Sequence, residues 1–535
     1  MLDRRSIHSE KRAVHSHIWA AACNRSHVCA IAATPLTSPL PFSVPLQAFF
    51  LSATVVSVSA ACSNAGSLDT SFSYFAAVNR IATDDSVSGA SDVTVAGDFT
   101  VHYDTYFKVV QTHCGTHQPS GCVPQTYILR LCGGAEPTAY NNGTAVPTDS
   151  KHFTIPVSGV ALPGSTPVTF LEMLGLRDKI KLVNPKSMHS PCVQELEESE
   201  QIDTQGSTWG TTDWADRAGT HAEVEVVFTD SWSTGASGTD RDVVFDASSD
   251  PGALARAEWI KFVSVFFNEE ERANLYFGRE QVAFNTIATS TAALADANTE
   301  KSCIWVSHYD GTYTLSFSTY KQELCVGAGL MPWTDTTALA AGEYDKYLTS
   351  DSELHAILKT IDVVIDETYH FDVVNADKAT VLAALNITDP ADTSDSLKSG
   401  GIFLRTDGHV TDAVTNLTDA STNSLDWYES AIARPALVLA DLAHKVWPSD
   451  ISVPASGCSR YFRDVLAGDM PTVNGEDKCS TWSAAENEQT CLNNAVLASD
   501  ADFTNANITL VLAESAGVSL AGAFAAFLVA AVALA

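Results

Sequence analysis

The chain has 535 residues, with 45% hydrophobic and 18% charged side chains. That balance supports a buried core, roughly two to four domains' worth, and excludes wholesale disorder. It carries 64 acidic and 31 basic side chains, a net charge of -33, and such an excess repels phosphate and disfavours nucleic acid or anionic lipid as a partner.

The two ends read as addresses. Residues 43–61, SVPLQAFFLSATVVSVSAA, follow a basic, acid-poor segment and end in small residues. This is the pattern of a secretory signal peptide cleaved near Ala60 or Ala61, with a plastid-type transit segment as the rival. Residues 1–61 are thus expected to be leader. At the other end Glu514 is the last charged residue, and 515–535 form an apolar tail with no basic cluster behind it. That is the form of a GPI-attachment signal, with a true tail anchor as the alternative. Residues 471–514 are expected to be a polar stalk. The expected location is the outer side of the plasma membrane, reached through the secretory pathway.

Cysteine usage agrees. Of twelve Cys, removal of Cys23 and Cys29 with the leader leaves ten, an even number that suggests disulfides in an exported chain. Cys114 with Cys122 and Cys303 with Cys325 are the expected local pairs. Asn142, Asn386, Asn416 and Asn507 each begin an N-x-T glycosylation tripeptide.

In chain order, FTVHYDTYFKVV (99–110) alternates with period two and places Val101, Tyr103, Phe107 and Val109 on one face. TYILRLC (126–132) follows as the other arm of a hairpin. FTIPVSGVAL (153–162) reads as one strand. TPVTFLEMLGL (166–176) reads as a helix capped by Thr166. KIKLV, a helix from about 190 and EVEVVF continue an alternation of strand and helix, which predicts an α/β region with a largely parallel sheet over 62–249. Residues 250–285 predict one long helix, with Asp250 as cap and Pro251 at its first position. Its apolar arc is wide, so it should pack on more than one side, with Lys261 and Asn268–Arg272 on the polar face. CIWV, YTLSF, IDVVID and GIFL, with helices between them and a helix over 424–446 broken at Pro435, predict a second α/β region over 286–470.

The segments FTIPVSGVAL…FLEMLGLRDKIKLV, SPC, AEWIKFVSVFFNEE, DVVIDETY and DWYESAIARPALVLADL together resemble class III periplasmic binding proteins of cobalamin and siderophore uptake. Among these they look most like the cobalamin-acquisition proteins of algae. The likeness spans residues 95–470. It implies two Rossmann-like lobes joined by a long rigid helix, with vitamin B12 held between the lobes as ligand and no catalytic cofactor.

A corrin presents a large apolar face fringed with amides, so its site needs aromatic platforms and a few hydrogen-bonding groups. In open α/β sheets ligands sit beyond the carboxyl ends of strands. That rule nominates the loops 163–166, 185–189, 229–232, 308–310, 367–370 and 405–407. It makes Trp232, Tyr309 and Tyr369 candidate platforms and Glu367 a candidate polar contact; Trp427, which opens a helix of the second region, is a further candidate platform. Core packing is the competing role for each aromatic. Glu258, inside the long helix, is either exposed on a polar stripe, paired with Arg256, or aimed at the cleft. His113, Cys114 and His117 form H-C-x-x-H, and His189, Cys192, His308 and His370 are scattered metal-ligating types. A zinc site needs three or four such groups in fixed geometry, and no metal site is expected. No G-x-S-x-G, H-E-x-x-H or P-loop is present, so no catalytic residue is nominated. The expected function is capture of cobalamin for uptake. A ferric-siderophore or metal-ion receptor, and a secreted hydrolase using the cleft, are the alternatives.

Overall fold

The computed structural model describes residues 68, 73–75, 80–81, 93–115, 122–184, 188–204, 217–230, 239–297, 300–334, 344–370, 372–391, 393–411, 424–448, 460–474 and 479. The leader and the apolar tail lie outside these residues, as does most of the stalk. Among the described residues no helix is long and apolar enough to cross a membrane.

Four strands open the fold: β1 (Phe99–Tyr103), β2 (Phe107–Thr112), β3 (Thr126–Leu131) and β4 (Lys151–Ile155). β1, β2 and β3 pair antiparallel, and β4 joins β3 in parallel. The expected common face is corrected here. The hairpin sets Val101 opposite Val110, so these two share a core with Phe99, while Phe107 and Val109 point to the other face beside Ile128 and Val146. The turn at 104–106 reverses the chain and resets the parity that period-two counting carries through it.

FTIPVSGVAL is likewise two strands in two sheets. Pro156, which lacks an N–H, ends β4. Gly159 then passes so close to the Glu223 carbonyl that a Cβ would sit 2.0 Å from that oxygen. β5 (Val160–Leu162) begins the second sheet, completed by β6 (Ile180–Val183), β7 (Asp203–Thr204), β8 (Val226–Thr229) and β9 (Asp242–Val244). Its order is β7-β6-β5-β8-β9, parallel throughout. Helix Val168–Met173 has Pro167 at its cap with no side-chain bond, so Thr166 is not the cap. Helix Pro191–Glu198 is capped by Ser190, whose hydroxyl accepts from Val193 N–H.

The single long helix expected over 250–285 is two helices, Ala253–Ser264 and Glu270–Ala297. The first begins at Gly252 with no side-chain cap; the Ala253 N–H is taken by Glu323, 2.7 Å away. Asp250 is occupied elsewhere, accepting from the Trp259 indole at 3.1 Å and from Gly97 N–H at 3.1 Å. The break has a physical cause. The buried Lys108 ammonium takes the Val265 carbonyl at 2.8 Å and the Asn268 side-chain oxygen at 2.8 Å, and Asn268 turns left-handed at φ +60. Glu270 and Glu271 then start the next helix, where the macrodipole favours acids. Trp259, Phe262 and Phe266 pack with Phe99, Tyr127, Phe153, Phe228 and Phe245 in one aromatic core. The 28-residue helix Glu270–Ala297, about 42 Å long, places Ala273 and Phe277 in that core. Its Ala283, Phe284 and Ile287 lie in a second one.

That second core lies on one face of the next sheet. β10 (Lys301–Tyr309), β11 (Thr312–Ser316), β12 (Leu330–Pro332), β13 (Asp345–Leu348), β14 (Val363–Asp366) and β15 (Ile402–Arg405) belong to it. β16 (His409–Thr411) does not, and β17 (Arg463–Asp464) closes its edge. β10, β14 and β15 are parallel at its centre. Along β10, Cys303 and Trp305 face the core shared with helix Pro435–Val446, whereas Ile304 and Val306 face a third core with Leu354, Leu382 and Phe403. The break at Pro435 is present: helix Asp426–Glu429 ends and Pro435 begins the next. β18 (Thr472–Asn474) pairs with β16, so these residues are folded, not stalk.

The two expected local disulfides, Cys114–Cys122 and Cys303–Cys325, are both formed. A third, Cys192–Cys479, spans 287 residues and was not singled out by spacing.

Candidate functional site

The three central parallel strands of the later sheet end together. β10 runs into His308 and Tyr309, β14 into Glu367–His370, and β15 into Thr406 and Asp407. Beneath this edge lies a buried, charge-balanced frame. Arg405 donates to Asp366, to Asp407 at 2.6 Å and to the Thr368 carbonyl at 2.9 Å. Arg463 donates to the same Asp407 and to the Ala376 carbonyl. Burial alone would raise Asp407, but Arg405 and Arg463 hold its carboxyl below the usual range. A pair this deep is stable only because nearly every lone pair is met.

On that frame Glu367, just beyond β14, meets Trp427 of helix Asp426–Glu429. The Trp427 indole N–H donates to Glu367 Oε1 at 3.1 Å, and Lys321 pairs with the other carboxylate oxygen. Trp427 is corrected as a platform, however. It is 6% exposed and stacks on Trp305 at 5.7 Å, with Phe462 and Tyr461 around it. Its role is to hold Glu367. Tyr369 remains a candidate platform at 60% exposed. So does Tyr428, 51% exposed and within electrostatic reach of Glu367 and Arg405, which sequence reasoning missed because it adjoins the more conspicuous Trp427. Tyr309 is 83% exposed but stands at a hairpin tip, where Asp310 (φ +46) and Gly311 (φ +75) make a tight turn.

Glu258 is not a ligand group. It is fully buried, and Oε1 accepts from Lys261 at 2.6 Å and from Thr94 N–H at 2.7 Å. Oε2 accepts from Val95 and Ala96 N–H at 2.7 and 2.8 Å. Lys261, expected on the polar face, is buried as its counter-ion. The pair staples segment 94–96 to the aromatic helix. Trp232 lies outside the described residues, as does His117. Cys114 is oxidised, and among the described residues no group of three or more His, Cys, Asp or Glu has metal-holding geometry.

The loop after β6 meets helix Asp426–Glu429 directly. His189 is fully buried, with Nδ1 3.4 Å from Asp426 Oδ1, and its backbone N–H donates to Glu429 Oε2 at 2.6 Å. Burial pushes His189 down to about 4 in spite of Asp426. Burial would raise Asp426, but Arg460 and His189 hold it well below the carboxylate range. Burial, with Glu172 beside it, raises Glu429 well above that range. This junction fixes one strand-end loop of the parallel β5–β9 sheet against the later sheet's helix, next to the Cys192–Cys479 disulfide.

No family model matches the chain, and no curated protein matches it. Solved structures do. A periplasmic haem-binding protein from Pseudomonas aeruginosa is similar at 15% identity and a TM-score of 0.40, over 59% of this chain and 99% of its own. A periplasmic binding protein from Veillonella parvula is similar at 10% identity and a TM-score of 0.41, over 62% and 98%. Ceue from Helicobacter pylori with Ni(II) bound is similar at 12% identity and a TM-score of 0.36, over 56% and 86%.

Proposed function

We propose that this chain is a surface-tethered binding protein that captures cobalamin for uptake and does no covalent chemistry. The observation that carries the reading is two exposed tyrosines beside a buried ionic frame: Tyr369, just beyond β14, and Tyr428, on helix Asp426–Glu429. Flat aromatic groups on an immobile support suit a large rigid ligand, because neither side has much freedom to lose on binding. The sequence likeness to cobalamin-acquisition proteins supports the choice of ligand. In this reading the β5–β9 sheet and the β10–β17 sheet are the cores of two lobes. Helix Glu270–Ala297 is the rigid link, and the His189–Asp426 junction limits how far the lobes part. The leader and apolar tail would deliver and hold the protein at the outer surface.

Titration of the purified protein with cyanocobalamin, haem, a ferric hydroxamate siderophore and Ni²⁺, read by calorimetry and tryptophan quenching, tests this. Saturable binding of cobalamin is expected. Binding of another member of the panel without cobalamin replaces the ligand, and binding of none removes the binding-protein reading.

A further inference from the structure

Asn142 and Asn386 both begin an N-x-T tripeptide and both are exposed, but the fold uses their side-chain amides differently. Asn142 lies in an exposed turn closed by the Ala139–Ala145 bridge and by Tyr140 N–H to the Thr144 carbonyl at 2.8 Å. Its side-chain oxygen accepts from Thr144 N–H at 2.9 Å, a turn-forming bond of the kind Asn favours. Gly143 takes φ +82, and a Cβ built on it meets nothing within 4 Å, so the tip of the turn is open, while its base is held by Asn141 N–H to Asp104 at 2.9 Å. The Asn142 amide nitrogen donates to no group among the described residues.

Asn386 spends its amide. The nitrogen donates to the Tyr313 hydroxyl at 2.8 Å and to Asp351 Oδ1 at 3.1 Å, and Tyr313 donates to the same Asp351 oxygen at 2.7 Å. Asn386 is also left-handed, at φ +56, a conformation Asn tolerates better than most residues. It ties the end of helix Lys378–Ala384 to β11 and to the start of helix Asp351–Leu358.

We propose that Asn142 carries an N-linked glycan in the mature protein, and that Asn386 is a structural residue left largely without one. In the transfer, the amide nitrogen attacks the anomeric carbon of an oligosaccharide on a lipid pyrophosphate. An N–C bond forms, the C–O bond to pyrophosphate breaks, and the nitrogen gives up one of its two protons. The product keeps a single N–H. At Asn142 this costs the fold no hydrogen bond, and the glycan projects from an exposed turn. At Asn386 one of two donated bonds is lost. The proposal rests on the secretory reading, because the sugar donor is lumenal.

The full chain is produced in a eukaryotic secretory host twice, once with its own residues 1–61 and once with a standard secretion signal in their place. Enzymatic glycan removal in ¹⁸O water marks every formerly occupied Asn, and peptide mass spectrometry locates the marks. Asn142 marked in both versions, with Asn386 marked much less, is expected. Asn142 unmarked behind the standard signal overturns the site, and Asn386 marked as fully as Asn142 overturns its structural exclusion. Asn142 marked only behind the standard signal upholds the site and overturns the secretory reading. Asn142→Gln, which loses only the exposed turn bond to Thr144, should lower the melting temperature less than Asn386→Gln. Equal effects would contradict the contrast.

Discussion

Glu258 gives the sharpest test of the packing described here. Glu258→Gln keeps the shape and removes the charge. The Lys261 ammonium, 1% exposed, then loses the Glu258 charge 2.6 Å away. The new NH₂ also faces donors whichever way it turns, since Oε1 receives Thr94 and Lys261 and Oε2 receives Val95 and Ala96. Breaking a buried pair from one side costs about 3–5 kcal/mol. A cost of at least about 3 kcal/mol is therefore expected, with the melting temperature lowered by roughly 4 °C or more. Guanidinium unfolding without reductant, followed by near-ultraviolet circular dichroism, measures it. Adding Lys261→Met should recover part of the loss by removing the buried cation that Glu258 balanced. Ligand affinity of the folded Glu258→Gln protein should match that of the parent. A stability change within about 0.5 kcal/mol, or a loss of affinity without loss of stability, would refute the assignment of Glu258 to the core.

Three further outcomes are expected. Because His189 titrates near 6.5 when unfolded and at about 4 when folded, its contribution is full above pH 6.5 and is lost as pH falls from 6.5 to 4. This amounts to about 3 kcal/mol, so His189→Gln should flatten the acid limb of a stability–pH curve, and identical limbs would contradict it. Trp427→Ala should cost about 3–5 kcal/mol of stability. Tyr369→Ala should stay within about 0.5 kcal/mol while weakening cobalamin binding roughly 5- to 150-fold; calorimetry beside thermal melting separates them, and a reversed pattern sinks the proposed division of roles. Non-reducing peptide mapping should recover Cys192 linked to Cys479, and Cys479→Ser should lower stability by about 2–4 kcal/mol, as expected for a long closed loop; a neutral change would show that the link constrains little.

Local signals carried far in this chain. Apolar runs placed β3, β6, β10, β14 and β15, and Pro435 placed a helix start, because periodicity and proline act within a few residues of themselves. The two short-range disulfides followed from the same proximity. The strand-end rule nominated Glu367 and the loop holding Arg405 and Asp407, since a parallel strand's carboxyl end is readable wherever the strand is.

Partners distant in sequence were decided only by the tertiary structure. Glu258 sits among helix formers, and no pattern around it announces the N–H groups of residues 94–96, more than 160 positions earlier. The long helix breaks because Lys108, on β2, reaches across to its carbonyl end; propensity within 253–297 contains no trace of that lysine. Trp427 and Tyr428 are neighbours of similar character, yet one is core and the other exposed, because Trp305 from β10 and Phe462 from the segment before β17 cover only the first. The sequence by itself determined where most strands and helices lie, though not where 153–162 and 250–285 break, and that charge and apolar residues suffice for a folded, acidic protein. Which acid is a staple, which aromatic is a support and which remains open to a ligand depended on long-range contacts, since burial and ion pairing are properties of the assembled core and not of the segment.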